Sequence, residues 1–188
     1  MATFFQHLRE SYRNINPEAA RARLVKLRRE PSVSRIDKPT RLDRAHALGY
    51  KAKKGYIIVR VKLPRGGRQR PKFRSGRRPK HYRRVKILSM NYQWVAEQRA
   101  NKKFPNCEVL NSYFLAKDGI YYWYEVILVD RIQVSRYNGM EWLSNPANRG
   151  RVFRGLTSAA RKSRGLRSKG EGAEKIRPSL RAKKGLAH

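Results

Sequence analysis

The chain is short of the residues on which most enzymatic chemistry depends. It has one cysteine, Cys107, and four histidines, at positions 7, 46, 81 and 188. One thiol cannot close an internal disulfide, and the histidines are too scattered for metal-ligand spacing. No cofactor or metal is expected. Acidic residues are scarce too, with 13 Asp and Glu against 46 Lys and Arg in 188 residues. Long apolar runs are missing: none approaches the roughly 18 residues of a spanning helix. The opening MATFFQHLRESYR lacks the apolar stretch and small-residue cleavage site of a secretory signal. These absences argue against a membrane protein, a redox or metal enzyme and a secreted domain, and point to the cytoplasm.

What is present is positive charge, a formal +33. Such a balance says little about fold but much about partners, with nucleic acid first among them. The charge is unevenly placed. From Leu88 to Ser135 five basic and five acidic residues cancel, and the other 140 residues carry the whole excess. The distribution suggests one domain: a basic N-terminal extension (1–54), a globular core (55–135) interrupted by a basic loop (64–87), and a basic C-terminal extension (136–188).

Local signals fill in this frame. Thr3 is a candidate cap for a short helix with Phe4, Phe5, Leu8 and Tyr12 at helical spacing. Asn16-Pro17-Glu18 is a stronger start signal for the helix that runs to Pro31. Its apolar stripe, Ala20, Leu24 and Leu27, is narrow and lacks Trp or Phe, which disfavours membrane binding. Thr40 is a candidate cap for a helix ending at Gly49. Residues 55–63 alternate as a strand with one buried face, Ile57, Val59, Val61 and Leu63 inward and Arg60 and Lys62 outward. Ser89 is a candidate cap for a helix ending before Pro105, with Met90, Trp94 and Val95 inward. Two strands follow, joined by Lys117-Asp118-Gly119, and the second is apolar enough to be central and covered on both faces. The expected fold class is α+β: a small antiparallel sheet, in the order strand, helix, strand, strand, covered by helices. The last two dozen residues are poor in apolar side chains and are expected to be disordered in isolation.

Catalysis finds little support. Glu97, Glu108, Glu125 and Asp130 cluster around the core, but no histidine is near them in sequence and no carboxylate pair repeats at a motif spacing. They read as charges at strand ends and on a helix's solvent face. PRGGRQR lacks the glycine spacing of a nucleotide-binding loop. No small-molecule substrate is indicated.

The basic runs say more: ARARLVKLRRE, YKAKK, residues 65–86 and FRGLTSAARKSRGLRSKG. Between Arg65 and Lys86 there are eleven basic residues and no acid, among them Lys72, Arg74, Arg77, Arg78, Lys80, Arg83 and Arg84. Arginine outnumbers lysine there, and its planar fork can span phosphate oxygens and stack on bases, which suits folded RNA. Arg167 extends the last run. Phe73, Tyr82 and Phe153 can stack on exposed bases or pack on protein. No zinc-finger spacing, heptad-linked basic region, helix-turn-helix or aromatic sheet motif of an RNA-recognition fold is found. Charge on several separate arms suggests a partner that surrounds the protein, as a ribosome does.

Three blocks, PTRLDRAHALGYKAKKGYIIVRVKLPRGGRQRP, VLNSYF with YEVILVD, and FRGLTSAARKSRGL, resemble the archaeal and eukaryotic type of large-subunit ribosomal protein fifteen, the fifteen-e family, over roughly residues 1–180. FRSGRRPKH and the closing IRPSLRAKKG resemble its archaeal branch. The resemblance implies a non-catalytic component of the large subunit that binds large-subunit rRNA, has other large-subunit proteins as neighbours, and shares its sheet with two other ribosomal families. Carried onto matching positions, it implies rRNA contacts at Lys51, Lys53, Lys54, Arg65, Arg68, Arg70, Arg154, Arg161, Lys162 and Arg164. Leu42 and Ala160 depart from the family pattern, which commonly has Pro and Gly there. Ala160 favours the short helix expected after Thr157 by about 1 kcal/mol over Gly. An RNA-processing enzyme and a nonspecific nucleic-acid packaging protein are the rival readings.

Overall fold

A computed structural model describes residues 3–67, 75–76 and 90–167. The chain opens with α1 (Phe4–Arg13) and α2 (Pro17–Arg29). The Asn16 side chain accepts from the Glu18 N–H at 3.0 Å, the cap its sequence announces. Then come β1 (Val33–Ile36), α3 (Leu42–Ala47) and β2 (Tyr56–Pro64). After the basic loop, α4 (Tyr92–Lys103) leads into the hairpin of β3 (Cys107–Lys117) and β4 (Tyr121–Asp130). A short α5 (Arg131–Val134), two 3-10 turns (Glu141–Leu143, Pro146–Asn148) and α6 (Ser158–Ser163) complete the described elements.

The sheet has four antiparallel strands in the order β1-β2-β4-β3. As expected, β4 is central, and Trp123 to Val129 are all buried along it. One face carries Val59, Val61, Leu63, Val109, Tyr124, Val126 and Leu128 against Trp94, Ala96 and Ala100 of α4. Each such aliphatic side chain contributes about 1.5–3 kcal/mol on full burial.

Three expectations need correction. The sheet has an edge strand, β1, that no sequence signal marked, paired with β2 from Val33↔Val61 to Ile36↔Ile58. Strand β2 is covered on both faces, because the N-terminal segment folds over the second one: Ala45 and Tyr50 pack there with Ile58, Tyr113 and Ile127. Arg60 and Lys62 therefore meet protein. Lys62 donates to the carbonyls of Arg28 and Glu30 at 2.8 and 2.7 Å, where the end of α2 has no amides to offer them. Finally, Thr40 does not cap α3, whose cap position is Arg41; its hydroxyl and N–H donate instead to Glu125, at 2.5 and 3.1 Å. Gly49 does follow α3, with φ +94°. The cap of α4 is Asn91, accepting from the Trp94 N–H at 2.8 Å, whereas Ser89 lies outside the described residues. Most of the basic loop (68–74, 77–89) and residues 168–188 also lie outside them.

Candidate nucleic-acid interface

Four carboxylates face inward. Glu97 and Glu125 are fully buried, and Asp43 and Glu108 nearly so. This corrects the expectation that Glu97 lies on a solvent face of its helix. Glu125 pairs across the sheet with Arg60 on one side and Tyr113 on the other. It accepts from the Tyr113 hydroxyl and from the Arg60 guanidinium at 3.0 and 3.2 Å, while Arg60 also reaches Glu30 at 2.6 Å. Burial works to lower the Arg60 pKa, but Glu30 and Glu125 outweigh it and hold the guanidinium above its ordinary value. Burial, with the Glu125 charge, pushes the Tyr113 hydroxyl well up. At the surface, Asp118 is bound by Arg28 at 2.7 Å. Asp130, as expected, sits at a strand end, where it accepts from the Ile132 N–H at 2.9 Å.

Glu97 anchors the segment that carries the last basic run. Ser112 of β3 and Thr157 each donate a hydroxyl hydrogen bond to it, both at 2.5 Å. Burial pushes its carboxyl up, opposed by those two hydroxyls and by the Arg151 charge. Three hooks line one side of α4 at successive intervals of three residues, the spacing of one helix face. The Asn91 side chain donates to the Ala159 carbonyl at 3.1 Å, the Trp94 indole N–H to the Val152 carbonyl at 2.7 Å, and Glu97 accepts from Thr157. Glu108 accepts from the Gly150 N–H at 2.7 Å. Val152, Ala159 and Ala160 are buried behind these bonds.

Within this unit α6 starts at Thr157, whose side chain accepts from the Ala160 N–H at 3.4 Å, as the sequence implied. It ends at Gly165, φ +74°, where Gly165 N–H bonds the Lys162 carbonyl and Leu166 N–H the Arg161 carbonyl, both at 3.1 Å. That pair of bonds is a Schellman stop. The Ser-Arg-Gly-Leu spelling is the sequence signal that would have shown it. Gly155 has φ +72° and lies so close to Arg164 that a β-carbon would come within 2.9 Å of that side chain. Arg164 donates to the Gly155 carbonyl at 2.7 Å.

The nine described site residues occupy three places. Lys51, Lys53 and Lys54 are exposed on the turn between α3 and β2. Tyr137 braces that turn, donating to the Lys54 carbonyl at 3.1 Å beneath the Lys53 ammonium, 5.3 Å from its ring. Arg65 stands at the root of the basic loop, over the Tyr122 ring at 5.1 Å, and donates to the Asp118 carbonyl at 2.6 Å. Beside it the Tyr92 hydroxyl donates to the Gly66 carbonyl at 2.8 Å and accepts from the Gly66 N–H at 3.0 Å, pinning the loop's first turn. Arg154, Arg161, Lys162, Arg164 and Arg167 belong to the C-terminal unit. Arg154 is exposed but donates to the carbonyls of Ala147 and Arg149, at 2.5 and 2.9 Å. Arg161, Lys162 and Arg167 are exposed. Burial, then repulsion by Arg161, lowers the Arg164 pKa. Arg68, Arg70, Lys72, Arg74, Arg77, Arg78, Lys80, Arg83 and Arg84 lie outside the described residues, as do Phe73 and Tyr82. Phe153 is 45% exposed. Arg131 and Arg136, which the basic runs do not include, line a cleft of about 370 Å³ with Ile132, Ser135, Leu143 and Ser144. Two isolated arginines make no run that a charge count could pick out.

Among the described residues no helix is long and apolar enough to cross a membrane, and no three His, Cys, Asp or Glu side chains are grouped to hold a metal ion.

The family model described as Ribosomal L15 matches residues 3–183. The chain is 50% identical over 183 residues to "Large ribosomal subunit protein eL15" of Nanoarchaeum equitans (strain Kin4-M), covering 95% of this chain and 96% of that one. It is 47% identical over 189 residues to the protein of the same name from Picrophilus torridus, covering 97% of both. For the Thermoplasma volcanium protein of that name identity is 46% over 185 residues, covering 95% of this chain and 94% of the other. By a match that spans nearly its whole length and by the archaeal relatives it resembles, the chain belongs to the ribosomal L15 family.

Proposed function

We propose that the chain is a structural constituent of the large ribosomal subunit, binding and stabilising its rRNA in support of translation. One observation carries this beyond the family match: the carboxylates Asp43, Glu97, Glu108 and Glu125 are buried, which leaves an exposed surface more basic than the composition. Such a surface repels itself in water and is neutralised by phosphates, whose counterions are released on binding.

The rRNA contacts are assigned to Lys51, Lys53, Lys54 and Arg65, to the loop residues Arg68, Arg70, Lys72, Arg74, Arg77, Arg78, Lys80, Arg83 and Arg84, and to Arg154, Arg161, Lys162, Arg164 and Arg167. Most of these meet phosphate, which positions the protein, and a minority meet bases. Folding starts from residues 55–135; 1–54 and 136–188 belong to the same domain, adding β1 and buried side chains to that core, and their basic surfaces take up RNA and neighbouring large-subunit proteins. No catalytic step is assigned: Glu97 and Glu125, the carboxylates nearest the core, are engaged by hydroxyls and a guanidinium that hold the fold together.

Sedimentation of a lysate through a sucrose gradient in high salt tests the proposal. The expected result is stable co-migration with the large subunit. Release into the soluble fractions would contradict it and favour a loosely held processing factor or packaging protein.

A further inference from the structure

The sequence spells Gly-Leu twice in the C-terminal unit, at Gly155-Leu156 and at Gly165-Leu166. Both glycines have positive φ, and each redirects the backbone so that its leucine comes to one cleft. The cleft has a volume of about 320 Å³ and is lined by Leu156, Leu166, Arg161, Arg164 and Arg167. Two leucines and three guanidiniums are an unusual mixture for a surface. Leu156 is half-buried and Leu166 is 38% exposed, so the apolar part is open to a ligand. In a Schellman stop the residue after the glycine commonly packs back on the helix, but here Leu166 stays 38% exposed.

The chemistry selects the ligand. Arginines crowded together favour an anion, and their planar forks fit phosphate oxygens. An inorganic anion alone gives the leucines nothing to cover. A ligand with a flat apolar part joined to a phosphate satisfies both, and the volume lies at the lower end of the roughly 300–1,000 Å³ of small-molecule sites, room for one nucleotide. RNA offers such groups at loops and bulges, where unstacked bases can be taken up singly.

We propose that this cleft takes one unpaired nucleotide of the large-subunit rRNA, with the base against Leu156 and Leu166 and the phosphate on Arg161 and Arg167. The inference rests on the rRNA-binding reading above and sharpens it: here the protein holds a base, whereas elsewhere it screens phosphates. Arg164, tied to the Gly155 carbonyl, closes the side of the cleft and fixes its width.

The test is dimethyl sulfate and carbodiimide probing of large-subunit rRNA, transcribed in vitro and bound by the full chain, the two reagents together reporting all four unpaired bases. Wild type should protect one unpaired base that Leu166→Ala exposes to several-fold higher reactivity, while Leu166→Met restores protection. The double variant Arg161→Gln, Arg167→Gln should flatten the salt dependence of binding by about 0.7–0.9 in log–log slope, the contribution of the one phosphate the two arginines share. Leu166→Ala should leave that slope unchanged. A reactivity pattern that ignores Leu166→Ala while wild type binds tightly would overturn the nucleotide cleft and leave the rRNA reading intact. Failure of wild type to bind rRNA at all would overturn both.

Discussion

Glu125 stands in the middle of the sheet with no exposure to water, and five hydrogen bonds keep it there, from Thr40, Arg60 and Tyr113. Each partner comes from a different stretch of chain, so this one carboxylate joins the N-terminal segment to β2, β3 and β4. Glu125→Ala should cost about 3–5 kcal/mol in chemical denaturation, because it leaves Arg60 without its buried partner. Tyr113→Phe should cost about 1.5–3 kcal/mol, the range for one bond to a charged group. Glu97 is the second buried carboxylate, and its pKa is raised by burial. The folded state then binds the proton more tightly than the unfolded state, so stability falls as pH rises from the ordinary carboxyl value through the raised one. Glu97→Gln removes that ionisation. Denaturation at a series of pH values should show wild type losing stability relative to Glu97→Gln as pH increases across this window; parallel curves would contradict the burial argument. Sequence could not reveal these roles, because a carboxylate in a basic chain reads as surface charge until its partners are known.

At the scale of elements, α4 is the part on which the rest depends. Its apolar side packs on the sheet, and its Asn91, Trp94 and Glu97 hold the C-terminal unit. Asn91→Ala removes a helix cap, worth about 1 kcal/mol, and a second hydrogen bond, worth about 1 kcal/mol. Amide hydrogen exchange should quicken at Arg161 and Arg164, whose N–H groups bond within α6, more than in β4. Gly155→Ala should cost about 1–2 kcal/mol for the left-handed backbone alone and should displace Arg164 as well. Much at this scale was legible. The Asn-Pro-Glu start of α2, the Lys117-Asp118-Gly119 turn and the short helix after Thr157 are local chemistry, and each forms where its residues say. Strand β1 was not legible, since VSRI is four residues long and pairs only because β2 offers it an edge. Thr40 misled for a related reason: a hydroxyl that could cap a helix found a buried carboxylate instead.

Across the whole molecule the arrangement is one of charge sorted by depth. Composition gave the excess of +33, and the fold sharpens it by drawing Asp43, Glu97, Glu108 and Glu125 inward while no lysine or arginine among the described residues is fully buried. The partner class was legible from composition and the candidate residues from their runs. Their grouping was not, since the C-terminal unit lies far along the chain from Lys51–Lys54 and Arg65 at the two ends of β2, and α4 connects it to the loop root through Tyr92 and Asn91.

The most direct measurement of this account is the affinity of the full chain for large-subunit rRNA as a function of salt, with duplex DNA as competitor. The account predicts a loss of at least about 10³-fold between 50 and 200 mM salt, as expected for six or more phosphate contacts, with rRNA preferred over the duplex throughout. A shallow salt dependence, or equal binding to duplex DNA, would contradict it.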